Sequence, residues 1–263
     1  MSNRLKDYVR IFLWRYLPAI IAFVIFIVAW QLIVTFLNIP TFLLPPPSKI
    51  VTSLLNPSYS WWNNSYVTIY ESLAGFGVAV VVGLGLAVVM VLSEKISRVI
   101  YPFVIAAQVV PKIALVPILF IWFGFNDWPR ILTVFLVCFF PIVIDTMGGL
   151  YSIEPDTIDL IRSFSRRRLD LLSKAMFPSA LPNVFSGLKV AITLALIGAL
   201  VAEFVSSNQG LGFLIITAQG QLNTTLAFAA VTLLIIIGFV LYIAIEVLEK
   251  VVIPWKPKAG TDR

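Results

Sequence analysis

The chain has 263 residues, of which 60% are hydrophobic, and a mean hydropathy of +0.98. Soluble domains usually contain about 45–50% apolar residues, so the composition excludes an ordinary soluble domain. The length suits one membrane domain with five or six spans of roughly 20 residues each. The net charge of +6 indicates cytoplasmic loops and anionic membrane lipid. It does not indicate nucleic acid, because no basic patch with interleaved aromatic residues is present.

The residue inventory excludes several chemistries. Histidine is absent, which removes the commonest general base and metal ligand. The one cysteine, Cys138, lies in an apolar run, so neither a disulfide framework nor a metal cluster is expected. No phosphate-binding Gly-Lys-Ser/Thr loop occurs. The sequence therefore predicts a chain that is not an enzyme and that draws its energy from a partner.

The N-terminal third is predicted to contain one span and one external loop. Residues 1–15 carry four basic side chains and are predicted to be a cytoplasmic N-terminus. The apolar stretch 16–37 is too long for a signal-peptide core and lacks a small-residue cleavage site, so it is predicted to be an uncleaved span. The loop at 38–65 is proline-rich, and three consecutive prolines from Pro45 to Pro47 exclude a helix interior there.

The second and third predicted spans differ in character. Span 66–92 contains four glycines, which favour close helix packing over a pore role. Span 99–123 is interrupted by three prolines and carries Gln108 and Lys112 near its middle. Broken backbone at membrane depth is tolerated where it is buried in protein or lines a water-filled path. Burying a lysine there costs at least about 2.5–3.5 kcal/mol, so Lys112 is predicted to line the pathway, where it would attract an anion, or to pair in the interior. The alternative is snorkelling to a head group.

The next two predicted spans each carry an acid. Span 130–150 carries Asp145 near its cytoplasmic end, where the carboxylate either caps the interface or faces the bundle interior. Span 181–205 carries Glu203 near its outer end, and a polar turn that includes Gln209 follows. Such a turn is either an external gate segment or an ordinary loop with Glu203 at the interface.

The last predicted span, 226–252, precedes a basic cytoplasmic tail at 253–263. Basic residues cluster in the segments assigned to the cytoplasm, and only Lys49 and Arg130 are assigned outside. An even number of spans then places both termini in the cytoplasm, which agrees with the positive-inside rule. The predicted organisation is a single membrane domain at 16–252 with a cytoplasmic segment at each end.

The longest polar segment within the apolar region is the loop 153–178. Pro155 precedes its polar core and Pro178 ends it, and the apolar residues between them recur at spacings of three, eight and three. This pattern predicts one or two short amphipathic helices. Its excess of basic residues places the loop in the cytoplasm. The loop either sets topology only or docks a soluble partner.

Seven positions in this loop carry a family resemblance. In order they are Asp159-Leu160-Ile161, Ser165, Ala175, Phe177 and Pro178. This arrangement resembles the EAA loop of ABC-importer permeases, in which Glu-Ala-Ala is followed at fixed spacings by Gly and by Ile-x-Leu-Pro. Ser165 replaces the glycine of that pattern, and Leu160 and Ile161 replace alanines with bulkier groups. We therefore expect the partner ATPase to be specific to this chain.

Further segments, in the same order as in the family, resemble its nitrate/sulfonate/taurine branch from about Leu44 to the end of the last span. They are Leu44-Pro45-Pro46-Pro47-Ser48, Pro117-Ile118-Leu119-Phe120-Ile121-Trp122-Phe123-Gly124, Phe139-Phe140-Pro141-Ile142, Ala180-Leu181-Pro182, and Ala202-Glu203-Phe204 followed by Gly210-Leu211-Gly212.

The resemblance implies an all-α integral membrane protein with six transmembrane helices, the type I ABC-importer permease fold, in the bacterial inner membrane. It implies a homodimer, a cytoplasmic ABC ATPase that binds ATP and Mg²⁺, and an extracytoplasmic substrate-binding protein. The substrate would be a small anionic or heterocyclic solute such as a sulfonate, taurine or nitrate. This chain would bind no cofactor and no nucleic acid. The alternative function is a gradient-driven secondary transporter, which would require paired internal carboxylates or inverted repeats; a membrane scaffold is a third.

Two sets of candidate residues follow. The ATPase-coupling set is Ile158, Asp159, Ile161, Arg162, Phe164, Ser165, Arg166, Arg167 and Leu169. The substrate pathway or gate set is Gln108, Lys112, Asp145, Glu203 and Gln209. Coupling requires a short rigid helix whose apolar face enters a groove of the ATPase while its charges set the register.

Overall fold

The computed structural model describes residues 2–164 and 167–255, and within them all side chains except those of residues 2–16, 155, 162 and 168. Ser165 and Arg166 of the candidate coupling set therefore lie outside the described residues, as does the side chain of Arg162. All regular secondary structure in the described ranges is helical.

The α-helices fall into long apolar helices and short connecting ones. In chain order they are α1 (Ser2–Phe36), α2 (Pro47–Leu54), α3 (Trp61–Leu92), α4 (Glu94–Val109), α5 (Val116–Phe123), α6 (Asp127–Tyr151), α7 (Pro155–Phe164), α8 (Arg168–Leu171), α9 (Phe177–Val205), α10 (Leu211–Gly220) and α11 (Thr224–Val252). Short 3₁₀ turns lie at Pro57–Tyr59 and Lys112–Leu115, and a π-helical turn at Leu172–Met176 joins α8 to α9.

Five helical stretches among the described residues are long and apolar enough to cross a membrane. They are Leu17–Phe36, Pro57–Leu92, Asp127–Tyr151, Leu169–Val205 and Thr224–Val252. A sixth span results if α4 and the helical segment Lys112–Phe123, which are bent by 83°, count as one. The prediction of an all-α membrane protein is therefore confirmed, and the predicted count of six spans is reached when the broken helix is counted as one span.

The break in the third predicted span has a local cause. Val110 is extended, with φ −62° and ψ 128°, and Pro111 follows it. A proline clashes with a helical residue before it and has no N–H to donate, so the helix ends there. Pro102, by contrast, lies inside α4. The three prolines of this segment thus have different effects, and only Pro111 coincides with the bend.

The chain divides into two compact units. The first contains Met1–Trp61 and Leu214–Val231. Within it the backbone N–H of Ser48 donates to Gln31 Oε1 (3.1 Å), and the Thr224 hydroxyl donates to the carbonyl of Phe42 (2.5 Å). The Trp30 and Phe228 rings lie 5.8 Å apart. These contacts hold the proline-rich loop against α1 and against the start of α11.

The second unit contains Trp62–Phe213 and Thr232–Arg263 and is organised around α6. A Cβ at Gly75 of α3 would lie 2.6 Å from Val134 Cγ1, and one at Gly83 would lie 3.0 Å from Ile142 Cγ2. Both pairs are 59 residues apart, so α3 and α6 run parallel. The small residues therefore serve close packing, as glycines do at membrane helix interfaces.

α9 packs against α6 in the opposite direction. A Cβ at Gly198 would lie 3.1 Å from Val134 Cα, and one at Gly149 would lie 3.0 Å from the Ala180 carbonyl oxygen. As the contact moves towards the C-terminus of α6 it moves towards the N-terminus of α9, so the two helices are antiparallel. Cys138, Ile142 and Ile192 are fully buried between them, and this layer positions the groups described below.

Candidate functional site

A buried carboxylate near the C-terminus of α9 holds the start of α10. Glu203 is 2% exposed, and its Oε2 accepts a hydrogen bond from the backbone N–H of Gly212 (2.5 Å). Its Oε1 accepts one from the Thr68 hydroxyl on α3 (2.6 Å). The first N–H groups of a helix have no partner within the helix and lie at the positive end of its dipole, so a carboxylate stabilises this position.

Two further side chains of α3 complete the same arrangement. Thr68 Oγ1 accepts a hydrogen bond from the N–H of Leu211 (2.9 Å), and Asn64 Oδ1 accepts one from the N–H of Gly210 (2.7 Å). Three successive backbone N–H groups are thus bound by side chains of two other helices. We call this group, comprising Asn64, Thr68, Glu203 and residues 210–212, the Glu203 clamp.

The clamp requires glycine at position 210. Gly210 has φ +111°, which side chains other than glycine rarely adopt, and a Cβ there would overlap the Glu203 carboxyl group. A Cβ at Gly212 would lie 2.8 Å from Glu203 Oε2. The sequence elements Ala202-Glu203-Phe204 and Gly210-Leu211-Gly212 are therefore two halves of one structural unit. Glu203 is not an interfacial residue of an ordinary loop.

One turn along α3 from Thr68 lies a buried ion pair. Glu71 Oε1 and Arg130 Nη1 are 2.8 Å apart, with side chains 1% and 15% exposed. The guanidinium also contacts Asp127 at 3.2 Å. Among the described residues, Glu71 Oε2 and Arg130 Nε are buried and have no hydrogen-bond partner. Thr68, which binds Glu203, and Glu71 are one helical turn apart on α3, so the clamp and the ion pair are neighbours.

A polar pocket adjoins this ion pair. Its volume is about 400 Å³, and Glu71, Asp127 and Arg130 line one part of it. Residues 207–209, which lead into the clamp, line another part. Tyr66 and Tyr70 add two stacked rings, with centroids 6.4 Å apart and planes at 15°. Gln209 of the predicted gate set lies here. We call this feature the tyrosine pocket.

A second polar group lies at the bend between α4 and α5. Lys112 Nζ donates a hydrogen bond to the backbone carbonyl of Gln108 (2.8 Å) and lies 4.5 Å from the centroid of the Phe140 ring. A cation above an aromatic face is attracted by the ring. The Lys112 charge is thus stabilised without a carboxylate, while the side chain of Gln108 is exposed.

Asp145 and Lys189 occupy the α6–α9 layer further along. A Cβ at Gly187 would lie 2.9 Å from Asp145 Cβ, so Asp145 packs against α9 and is partly buried. The ammonium of Lys189 on α9 forms an ion pair with Glu249 of α11. The described hydrogen bonds and ion pairs connect neither Asp145 nor Lys112 to the clamp.

The candidate coupling residues lie on and after α7. Phe164 is 84% exposed and Leu169 is 64% exposed. Ile158 and Ile161 are partly buried, while Asp159 and Arg167 are exposed. Leu160, which was not in the predicted set, is 59% exposed. The exposed apolar surface of this segment is thus formed by Leu160, Phe164 and Leu169, and we call it the coupling surface.

Sequence reasoning missed most partners of Glu203. Thr68 and Asn64 gave no signal, because polar residues near a span end are common. Glu71 did give a signal, because it is an acid within the predicted second span. Such a residue usually pairs with an opposite charge. Arg130, which was predicted to lie at the outer end of the fourth span, is that partner. Among the described residues, no group of three or more Cys, Asp or Glu side chains is placed to hold a metal ion.

Comparison with known proteins decides the family. The family described as "binding-protein-dependent transport system inner membrane component" matches residues 79–255. The chain belongs to this family. The permease is 32% identical to the formylaminopyrimidine transport permease protein ThiX of Halalkalibacterium halodurans over 237 residues, which cover 90% of the permease and 94% of that relative. It is 25% identical to the taurine transport system permease protein TauC of Escherichia coli, with 88% and 86% covered.

A solved structure agrees at the level of the fold. An inward-facing conformation of the MetNI methionine ABC transporter matches with a TM-score of 0.63 and 17% identity, covering 71% of the permease and 93% of the matched chain. The predicted ABC-importer permease fold and the predicted family, including its sulfonate and taurine branch, are confirmed. The permease is a multi-pass membrane subunit of a binding-protein-dependent ABC importer for a small solute.

Proposed function

We propose that the permease works as a homodimer in the bacterial inner membrane with both termini in the cytoplasm. A cytoplasmic ABC ATPase, which binds ATP and Mg²⁺, docks on the loop 153–178. A substrate-binding protein delivers the solute to the opposite face. ATP-driven closure of the ATPase moves the docked loops, and the spans tilt so that the pathway faces first outward and then inward. Hydrolysis belongs to the partner, because this chain carries no phosphate-binding loop.

The observation that carries this proposal is the coupling surface. Leu160, Phe164 and Leu169 are exposed apolar side chains in a loop that also carries nine charged residues. Exposed apolar groups rimmed by charges are typical of protein–protein contacts. A loop that only set topology would need its basic residues but not these three. The excess of basic residues supports the cytoplasmic location of the loop.

A second copy is supported by the bend between α4 and α5. Gln108 and Val109 are exposed there, and the Lys112 ammonium lies between a carbonyl and an aromatic ring. Polar groups inside membranes almost always face protein or a water-filled cavity rather than lipid. We infer that the second copy covers this bend, so that Gln108 and Lys112 lie beside the pathway.

The solute is proposed to be a small nitrogen heterocycle in preference to a sulfonate. The permease shares 32% identity with a formylaminopyrimidine permease and 25% with a taurine permease at similar coverage. Lys112 would favour an anionic solute if its ammonium were free. Its ammonium is already engaged by the Gln108 carbonyl and the Phe140 ring, which weakens that argument.

Affinity purification tests the assembly. The tagged permease, expressed with its own transport partners and solubilised in mild detergent, should carry a stoichiometric ATPase. Replacing Asp159–Arg168 with a Gly/Ser linker should remove it, and Phe164→Ala should reduce it at least about fivefold, since an interface hot spot contributes more than about 1 kcal/mol. Phe36→Ala is the matched control, because Phe36 is 78% exposed but lies on α1. Full ATPase recovery with the linker variant would contradict the proposal.

A further inference from the structure

The tyrosine pocket has an unusual charge for a transporter of anions. Two carboxylates, Glu71 and Asp127, and one guanidinium, Arg130, line it. The Arg130 guanidinium is bound by both carboxylates, at 2.8 Å and 3.2 Å. The lining therefore has a formal charge of −1 and holds no unpaired cation. A sulfonate entering this pocket would meet net repulsion, whereas a neutral or cationic solute would not.

The aromatic part of the pocket favours a flat ligand. Tyr66 and Tyr70 are one helical turn apart on α3, and their planes are inclined by only 15°. Their side chains are 61% and 47% exposed, so ring surface remains available. Nucleobase-like heterocycles stack on aromatic rings with about 1–3 kcal/mol per base, and electron-rich rings also attract cations.

The remaining lining supplies hydrogen bonds without further charge. Residues 207–209 line the pocket with a hydroxyl and two side-chain amides. Amides both donate and accept, which suits ring nitrogens and exocyclic amino groups. The loop is held in shape, because Ser207 Oγ accepts a hydrogen bond from the N–H of Gln209 (3.2 Å) and the next residue, Gly210, is bound in the Glu203 clamp.

We infer that the tyrosine pocket is a contact site of the permease for a neutral or cationic planar nitrogen heterocycle. The solute stacks on Tyr66 and Tyr70 and forms hydrogen bonds with Asn208 and Gln209. Its volume of about 400 Å³ lies within the usual range of about 300–1,000 Å³ for small-molecule pockets. The inference rests on the proposed function only in requiring that the solute reaches this end of the permease.

Cysteine protection tests the site directly. The native Cys138 is fully buried, so Val67→Cys, which lines the pocket without a proposed contact to the solute, provides the reactive thiol in the permease–ATPase complex in nanodiscs. Formylaminopyrimidine should slow its alkylation by a polar maleimide, and taurine should not. Tyr70→Ala in this background should raise the half-protecting concentration at least about fivefold, as expected from the loss of one stacking partner. Ser207→Cys replaces the probe if Val67→Cys fails to assemble.

Two controls separate the pocket from its surroundings. Trp62→Ala removes an aromatic side chain that is 86% exposed on the same helix but does not line the pocket, and protection should persist. Ser58→Cys, on an exposed 3₁₀ turn, should be alkylated at the same rate with and without heterocycle. Equal slowing at both cysteines would show a general effect of the compound and would overturn the site.

Different experimental outcomes would contradict the proposed function and the proposed pocket. Uptake of formylaminopyrimidine by the complete transporter in proteoliposomes tests the substrate class. Uptake without protection at either pocket cysteine would overturn the pocket and leave the substrate class in place. Protection without uptake would support the pocket and reject that compound as the transported solute. Protection by taurine equal to that by the heterocycle would overturn the assignment of ligand class.

Discussion

At the scale of single residues, the Glu203 carboxylate has stricter hydrogen-bonding requirements than a charge at a membrane interface. Both of its oxygens accept hydrogen bonds, one from a backbone N–H and one from a hydroxyl. Thr68 is used twice, as a donor to Glu203 and as an acceptor from Leu211. A substitution in this group therefore disturbs the hydrogen bonds of its neighbours as well as its own.

Glu203→Gln is expected to destabilise the permease by about 1–3 kcal/mol, the usual cost of a buried polar group left without its partner. The amide keeps one acceptor oxygen and places an NH₂ group where the other oxygen accepts a bond. The measurement is thermal unfolding of the purified complex, together with limited proteolysis at residues 206–210. Glu246→Gln is the control, since Glu246 forms an i,i+4 pair with Lys250 at 2.6 Å on a more exposed surface and such pairs contribute about 0–1 kcal/mol. An unchanged melting temperature and cleavage pattern for Glu203→Gln would refute the clamp.

For the Glu71–Arg130 pair we expect the effects of substitutions on the unfolding free energy to be strongly non-additive. Arg130→Gln leaves the buried Glu71 charge without a partner and should destabilise the permease by about 3–5 kcal/mol. Glu71→Gln leaves Arg130 paired only with the more exposed Asp127 and should cost less. The double variant leaves no unpaired charge from this ion pair. It should destabilise the permease by less than the sum of the two single changes. A double-mutant cycle on unfolding free energies measures the coupling. Glu94 and Arg98, 3.9 Å apart with side chains 68% and 83% exposed, form the control cycle, with coupling of about 0.5 kcal/mol or less. Additive effects at Glu71 and Arg130 would show that the ion pair contributes nothing.

At the scale of secondary structure, the sequence predicted which helices form better than where they bend. Three prolines marked the third predicted span as broken, but only Pro111, preceded by the extended Val110, coincides with the 83° bend. Pro102 and Pro141 lie inside helices, since neighbouring groups can satisfy the freed carbonyl. Proline content alone does not show whether a given proline bends a helix or lies within it.

The coupling surface shows a similar limit. Helical periodicity selected Ile158 and Ile161 as residues that face the ATPase, and both are partly buried against their own chain. Leu160 entered the sequence comparison only as a bulky replacement for alanine, yet it is 59% exposed. An amphipathic helix between two partners has apolar residues on two faces, and periodicity cannot tell the two apart.

Leu160→Ala is expected to broaden the choice of ATPase. It restores the small residue of the EAA pattern and should let the ATPase of a relative, such as that of the taurine transporter, bind with higher affinity. ATPase stimulation by purified permease measures the change. Leu37→Ala, the same change at a site that is 70% exposed and lies outside the coupling surface, should leave the stimulation of the foreign ATPase unaltered. Strong stimulation of the foreign ATPase by the unmodified permease would show that the groove of that ATPase already accepts leucine.

At the scale of the whole molecule, the fold class, the number of spans and the family followed from hydropathy and short motifs. The tyrosine pocket did not, because its lining comes from α3, from the start of α6 and from the loop after α9. The constant offset of 59 residues between α3 and α6, which also joins Glu71 to Arg130, emerges only after the helices are packed. No single segment of the sequence contains that information.

The proposed dimer predicts a specific crosslink. Val109→Cys lies beside the bend and is 82% exposed, so short bis-maleimide reagents should join two copies there in membranes. Phe23→Cys on α1, 66% exposed, should remain uncrosslinked if it faces lipid. Buried Cys138 need not be removed, since its side chain is inaccessible. Efficient crosslinking at position 23 and none at 109 would place the second copy on a different face.

The segment from Arg168 to Val205 is helical throughout, with the π-helical turn Leu172–Met176 near its start. It is roughly 57 Å long at about 1.5 Å per residue. One end adjoins the coupling surface and the other carries Glu203. Such a rod acts as a lever: a tilt of about 6° about one end displaces the other by roughly 6 Å, about one helical turn. The carboxylate that binds Gly212 moves with that end, so a small rotation on one side of the membrane is sufficient to pull on the start of α10 on the other.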